Sequence, residues 1–114
     1  MEIKYIDVHT HINLEAFKDD FREVGEHTHA EGVAYINVGT GRETSARAVE
    51  LVSEGVFATV GLHPARAGGM IDDDGTPPQV FDPMYYKELA QKTGVVAIGE
   101  CGLDYFRADK TTKE

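Results

Sequence analysis

This chain has one cysteine, few basic residues and no long apolar run, and each shortage excludes a class of protein. The lone cysteine, Cys101, cannot form an internal disulfide, so a disulfide-stapled secreted domain is excluded and a reducing cytosol fits. No apolar run reaches the roughly 20 residues that a membrane-spanning helix needs. Residues 1–5 lack the basic start and apolar stretch of a signal peptide. We therefore expect a cytoplasmic protein that does not bind membranes.

Basic side chains are outnumbered, since 11 lysines and arginines stand against 20 aspartates and glutamates and the net charge is −9. Such a surface as a whole does not attract phosphate backbones, which disfavours a module that coats nucleic acid without specificity. A nucleic-acid substrate would have to be captured locally, by a metal or a few basic groups. The remaining composition, 41% hydrophobic and 27% charged over 114 residues, is typical of one small globular domain.

Predicted strands and helices alternate along the chain. The four strand candidates are short apolar runs at Ile3–His9, Val33–Val38, Val56–Gly61 and Val95–Gly99. Three predicted helices begin at capping residues and are closed by glycines: Asn13 to Gly32, Thr40 to Gly55, and Asp82 to Gly94. Glu43 would complete a capping box with Thr40, and Pro83 would occupy the first position of the third helix. Such alternation favours an α/β fold with a parallel sheet and right-handed crossovers.

The first three strands each have an aliphatic face and a mixed face, because side chains two apart point the same way. In the first strand Asp7, His9 and His11 share the mixed face, and in the second Asn37 lies opposite Ile36. We expect the aliphatic faces to meet the helices and the mixed faces to line an interior that turns polar at the carboxyl ends. Sites of α/β folds, and of (β/α)8 barrels above all, lie at those ends.

His9 and His11 lie two residues apart at a strand end, so both imidazoles can face one point. Neutral imidazole is the commonest metal ligand, and this position favours a metal site. The alternative is a pair of hydrogen-bonded or solvated histidines. Asp7 would support His9 or a metal from behind, or be an ordinary polar residue hydrogen-bonded within the barrel.

Glu100 follows a nearly continuous apolar run, so its carboxylate must be paired or metal-bound. Bridging two cations would satisfy it, and so would a salt bridge to a lysine or arginine on a later strand. The neighbouring histidine pair favours the metal.

Other polar residues carry weaker signals. His63 ends the third strand and would contact a substrate phosphate or carboxylate, or be a plain loop histidine. Arg107 would grip a phosphate, or be an ordinary surface arginine. Cys101 is expected to be a small thiol that fills the core. His27 and His29 are expected to be surface residues, and Asp72–Gly75 to be a solvated acidic loop that binds no calcium.

Four strings of residues together resemble, in order and spacing, the TatD family of metal-dependent deoxyribonucleases. They are Asp7–His11 (DVHTH), Asn37–Gly39 (NVG), Val60–Pro64 (VGLHP) and Gly99–Tyr105 (GECGLDY). The last string is the most specific, since a His-x-His pattern alone also suits other amidohydrolase-like barrels. The resemblance runs over essentially the whole chain.

The resemblance implies a (β/α)8 TIM barrel with two divalent cations, of which this chain supplies about the first four strands and three helices. It implies that His9 and His11 hold one metal, that Glu100 bridges both, and that His63 lies near the substrate phosphate. Catalysis is thus assigned to Glu100 and His63, and substrate binding to His63 with Arg107. The implied function is a cytoplasmic hydrolase that cleaves phosphodiester bonds of DNA with metal-activated water. The metal stays open among zinc, manganese, iron and magnesium.

Residues 1–114 are predicted to be the amino-terminal half of such a barrel, because the family's remaining ligands come from later strands. Thr111 and Glu114 also fit the capping box of a helix that would begin there. We expect this half alone to be inactive, with the natural substrate open among DNA, RNA and other esters. The rival hypothesis is a non-catalytic α/β domain that binds a metal or ligand, or a half-barrel completed by a second chain.

Overall fold

The computed structural model describes residues 1–68 and 77–106, and within them helices pack on a parallel sheet. The strands lie in chain order across the sheet: β1 (Tyr5–Thr10), β2 (Val33–Val38), β3 (Val56–Val60) and β4 (Val95–Ile98). The helices are α1 (Phe21–Ala30), α2 (Arg42–Glu50), α3 (Pro64–Ala67) and α4 (Pro83–Ala90), and a 3-10 turn at Glu15–Phe17 precedes α1. All neighbouring strands are parallel, which confirms the α/β prediction.

Helices cover one face of the sheet through two apolar clusters. The first joins buried residues of the β1 end, β2 and β3 to side chains of α1 and the turn before it: Ile12, Tyr35 and Val56 with Phe17, Phe21 and Val24. The second joins β3 to α2, α4 and β4: Val60, Leu62 and Tyr86 with Val49, Tyr85, Leu89, Ala90 and Val95. Val56 and Val60 thus face the helices, as predicted for the third strand.

The prediction for the second strand was wrong about which face meets the helices. Tyr35 pairs with Val56 in register and lies in the same cluster against α1, so the face of Tyr35 and Asn37 is the helix side. Ile36 therefore points to the opposite side. The polarity of the side chains could not identify the helix side of this strand, because the interior of a barrel is also filled with branched aliphatic side chains. Both faces of a barrel strand are therefore apolar.

A β-bulge changes the faces of β1. Asp7 pairs with Tyr35 and Thr10 pairs with Asn37, so three steps on β1 match two steps on β2. Asp7 and Thr10 consequently share the helix side, and His9 lies on the other side. The predicted common face of Asp7 and His9 is therefore wrong. Bulges redirect side chains in this way and are frequent beside active sites.

Helix starts were predicted less well than strands. Asp82 does cap α4, since its side chain accepts the Tyr85 amide, with Pro83 at the first position as predicted. Asn13 caps nothing, because α1 begins only at Phe21 after the 3-10 turn. The predicted Thr40–Glu43 capping box is also wrong: Gly41 is the N-cap of α2, without a side-chain cap bond. The Thr40 hydroxyl instead lies 3.0 Å from the Thr44 hydroxyl, and the Glu43 carboxylate accepts from Gln79 at 2.8 Å. The short α3 was not predicted.

The face of the sheet away from the helices is open. Ile6, which pairs with Ala34 on that face, is 58% exposed, while Val60 at the centre of the helix side is wholly buried. Val8 on the same strand is 67% exposed. Within the described residues, none of the helices has the length and apolar character to cross a bilayer. The predicted capping box at Thr111–Glu114 and the acidic loop Asp72–Gly75 lie outside the described residues.

Candidate metal centre

Two histidines meet at the carboxyl end of β1. The Nε2 atoms of His9 and His11 lie 3.2 Å apart, with the rings edge to face. Two nitrogens held by one tetrahedral zinc at about 2.0–2.1 Å would lie about 3.3 Å apart. The pair therefore already has the spacing of two ligands of one cation. Asp7 supports this arrangement through the main chain, since its carboxylate accepts the His9 amide at 3.1 Å.

Glu100, two residues after β4, brings a carboxylate to the same point. Its Oε1 lies 3.7 Å from His9 Nε2, and ligand atoms of His9, His11 and Glu100 all lie within 4.8 Å of one another. The predicted meeting of these three side chains is confirmed, whereas their role as metal ligands stays a prediction. The donor set of two imidazoles and one carboxylate suits zinc, manganese or iron.

The meeting of β1 with β4 shows that the sheet is curved. These strands are the two edges of the sheet, and three strand spacings of about 4.8 Å would separate them by roughly 14 Å if it were flat. Side chains that stand perpendicular to a flat sheet would remain that far apart. His9 and Glu100 instead come together on the side away from the helices, which is the curvature of a closing barrel.

His11 is oriented for ligation by a hydrogen bond behind it. Its Nδ1 lies 3.1 Å from the carbonyl oxygen of Val38. A carbonyl only accepts, so Nδ1 carries the proton and Nε2 of the neutral ring keeps its lone pair toward His9 and Glu100. A hydrogen bond of this kind to the far nitrogen is the usual support of a metal-binding histidine.

His63 has the opposite arrangement. Its Nδ1 accepts the Ala65 amide at 3.1 Å where it caps α3, so the proton of the neutral ring is on Nε2. That Nε2 lies 4.0 Å from Glu100 Oε1, at the border of the site, and the side chain is only 12% exposed. His63 therefore presents a donor, suited to an anionic oxygen, where His11 presents a lone pair.

Two buried asparagines that the sequence did not single out as site residues hold the chain around His11. Asn37 Oδ1 accepts the Ile12 amide and the Thr10 hydroxyl, and Asn13 donates to the carbonyls of Val38 and Thr44. The Val38 carbonyl thus accepts hydrogen bonds from both Asn13 and His11. Asn13 was predicted as a helix cap, and its side chain instead ties the end of β1 to β2 and α2.

Three glycines and a threonine around the Glu100 backbone were also missed. The Glu100 amide donates to the Gly39 carbonyl at 2.8 Å, and Gly99 donates to Val60 and accepts from Thr59. A Cβ on Gly61 would come within 2.6 Å of the Glu100 carbonyl oxygen, so only glycine allows this approach. The available signal was a glycine inside three of the resembling strings, directly after β2, β3 and β4.

The other predicted residues do not join the centre. Cys101 is exposed, so the expected core-filling role is wrong: the loop after β4 turns away from the packed side. His27 is exposed as predicted, but His29 is half-buried against the Tyr35 ring, 5.5 Å between centroids, because α1 packs there on β2. Arg107 lies outside the described residues.

The sequence is also similar to those of known proteins. The family model described as TatD related DNase matches residues 6–114. The chain is 40% identical over 111 residues to an uncharacterized metal-dependent hydrolase, YabD, of Bacillus subtilis, which covers 95% of this chain and 40% of that protein. It is 33% identical to the 3'-5' ssDNA/RNA exonuclease TatD of Klebsiella pneumoniae, covering 95% of this chain and 39% of the relative.

A third relative is an uncharacterized metal-dependent hydrolase, MJ1582, of Methanocaldococcus jannaschii, 32% identical over 90% of this chain and 39% of its own length. The chain therefore spans about two fifths of the length of the curated relatives it matches.

Proposed function

This chain belongs to the family of TatD-related DNases, and we propose from that premise that the protein carrying it is a metal-dependent hydrolase of phosphodiester bonds in DNA. The observation that carries the proposal is the convergence of His9, His11 and Glu100 within 4.8 Å at the carboxyl ends of two strands. A relative named as an ssDNA/RNA exonuclease and others named as metal-dependent hydrolases support the reaction class.

We assign His9 and His11 to one divalent cation and Glu100 to the bridge between two. When bound, the cations would activate a water and polarise the phosphoryl oxygen. The lone pair of His11 Nε2 points at the centre because Val38 holds the proton on Nδ1. His9 is the more exposed partner, and its amide is held by Asp7.

His63 is proposed to bind the substrate phosphate. Its Nε2 proton faces the border of the centre, where it could donate to a non-bridging oxygen of a substrate phosphate. A hydrogen bond to a charged group typically contributes about 1.5–3 kcal/mol. Arg107 is proposed as a second phosphate contact, from the sequence alone.

The fold class, α/β of the TIM-barrel type, follows from the family and from the parallel sheet. We propose that residues 1–114 are the amino-terminal half of this barrel and that later strands pair with β1 and β4 and supply the remaining ligands. The exposed Ile6 and Val8 and the curvature of the sheet support this, since closure would bury them. The isolated half should then show negligible nuclease activity and weak metal affinity.

The direct test uses the full-length protein that carries this chain, stripped of metal and reloaded with zinc, manganese or magnesium. We expect cleavage of labelled single-stranded DNA only after reloading, and its loss in His11→Asn. His27→Asn is the matched control, because His27 is an exposed histidine of α1. If the protein binds these cations but none of them supports cleavage, the proposed activity is wrong and the protein only binds metal.

A further inference from the structure

Ser45 lies directly behind the metal centre and belongs to none of the residues assigned above. It is wholly buried, on the inner side of α2. A serine inside a helix usually bonds a carbonyl of its own preceding turn. The Ser45 hydroxyl instead bonds the strand end beside it: Oγ accepts the Gly61 amide at 3.1 Å and donates to the Gly61 carbonyl at 3.2 Å.

Gly61 in turn sets how closely the Glu100 main chain can approach. An added Cβ on Gly61 would lie 2.6 Å from the Glu100 carbonyl oxygen and 2.7 Å from the Gly99 carbonyl carbon. The backbone of Gly99 and Glu100 therefore rests on the α-carbon of Gly61. Any displacement of Gly61 is passed directly to the segment that carries the Glu100 carboxylate.

Ser45 also touches the second support of Glu100. A Cβ on Gly39 would lie 2.2 Å from Ser45 Oγ, so the Gly39 backbone is packed against this hydroxyl. Gly39 holds Glu100 by accepting its amide at 2.8 Å. One side chain thus lies between the two backbone segments, at the ends of β2 and β3, that fix Glu100.

We propose that Ser45 is a positioning residue of the metal centre, which sets the spacing of the β2 and β3 ends and through it the position of the Glu100 carboxylate. The inference rests on the proposed function for the identity of the ligand, a divalent cation. The buried hydroxyl touches neither the substrate nor the reacting atoms. Its effect is on how well Glu100 is presented to the cation.

The test compares Ser45→Ala with Thr28→Val in the full-length protein. Thr28 is the matched control, since its hydroxyl donates within α1, to the Val24 carbonyl at 2.7 Å. Zn²⁺ and Mn²⁺ are titrated separately into metal-free protein by calorimetry. Residues that orient metal ligands typically change metal affinity about 10–100-fold, so we expect Ser45→Ala to raise the dissociation constant about tenfold. Thr28→Val should leave it unchanged.

A second readout needs no metal. Hydrogen exchange of the Gly61 amide in the metal-free protein should be faster in Ser45→Ala and unchanged in Thr28→Val. A Ser45→Ala protein with the wild-type dissociation constant overturns the positioning role and leaves the proposed function standing. An equal loss of affinity in Thr28→Val also overturns it, because general destabilisation would then explain both.

If the wild-type protein binds neither cation, both the proposed function and this inference are wrong. If Ser45→Ala does not fold, Ser45→Cys replaces it, because a thiol keeps a weak donor and acceptor. A folded Ser45→Cys protein with weakened metal binding supports the positioning role. One with wild-type binding overturns it.

Discussion

The edge strands and the central strands of the sheet have different roles in the candidate site. The proposed ligands stand on the edges: His9 and His11 at the end of β1 and Glu100 just after β4. β1 is exposed along nearly its whole length, and β4 is mostly exposed, whereas β2 and β3 are mostly buried. The proposed metal ligands, whose positions must be the most exact, thus lie on the strands that are the most exposed.

The central strands resolve this mismatch by holding the edges with their backbone. Val38 orients His11, and Gly39 and Gly61 receive the segment of Glu100. These contacts come from the ends of β2 and β3, where helices bury the opposite face. Rigid central elements therefore determine the positions of side chains carried by edge strands, which is what a preorganised site requires.

The largest expected effect is the loss of activity when Glu100, a proposed ligand on an edge strand, is replaced, compared with replacement of His63, which follows a central strand. In the full-length protein, Glu100→Gln should lower kcat/KM by more than about 100-fold, beyond the usual cost of disturbing a supporting residue. Glutamine keeps the shape but loses the charge that would hold two cations. His63→Asn should lose one hydrogen bond to a charged group, worth about 1.5–3 kcal/mol. Steady-state kinetics with metal analysis of both variants would measure this.

Equal losses in both variants would contradict the assignment of the bridge to Glu100. A Glu100→Gln enzyme that keeps its metals and its rate would do the same.

The second prediction perturbs the contact between centre and edge. Gly61→Ala places a methyl group 2.6 Å from the backbone oxygen of Glu100, so the main chain must shift. Overpacking of this kind costs about 1–3 kcal/mol of unfolding free energy. Gly99→Ala is the matched control for space, because its added Cβ would meet Thr59 Oγ1 at an ordinary 3.7 Å. Denaturant unfolding of both variants measures the difference, and a Gly61→Ala protein as stable as Gly99→Ala would refute the tight contact.

The third prediction asks whether the β1 edge persists in the full-length protein. Val60→Ala should cost about 2 kcal/mol, because Val60 is wholly buried at the centre. Ile6 is 58% exposed here, but closure of a barrel would bury it. We therefore expect Ile6→Ala to cost about as much in the full-length protein. A change within about 0.5 kcal/mol, the range of ordinary surface substitutions, would show that β1 stays open.

The smallest expected effect lies at the cap of α4, away from the centre. Hydrogen bonding from the Tyr85 amide, followed by Arg42, lowers the pKa of the Asp82 carboxyl. A lowered folded-state pKa stabilises the fold above the ordinary aspartate pKa, and this contribution disappears as pH falls through the lowered value. The melting temperature of Asp82→Ala should thus lie slightly below wild type at pH 7, and the gap should narrow below about pH 4. A gap that does not depend on pH would contradict this.

The strand pattern and the three converging residues could be predicted because they depend on local signals. Apolar runs marked all four strands, and the position of His9, His11 and Glu100 at strand ends was enough to expect them together. The supporting residues could not be predicted in the same way. Asn13 looks like a helix cap in isolation, and only the neighbouring β2 and α2 give its amide the carbonyls of Val38 and Thr44.

The sequence by itself determined the alternating α/β order, the family, and the identities of the donors at the strand ends. Their chemical states and faces were decided only by tertiary structure. His11 and His63 are the same side chain, yet a carbonyl behind one and an amide behind the other place their protons on opposite nitrogens. Likewise the bulge in β1 and the packing of Tyr35 decided which face meets the helices. Such features depend on partners distant in sequence, and hydrogen bonds and packing form only when the folded chain brings those partners within a few ångströms.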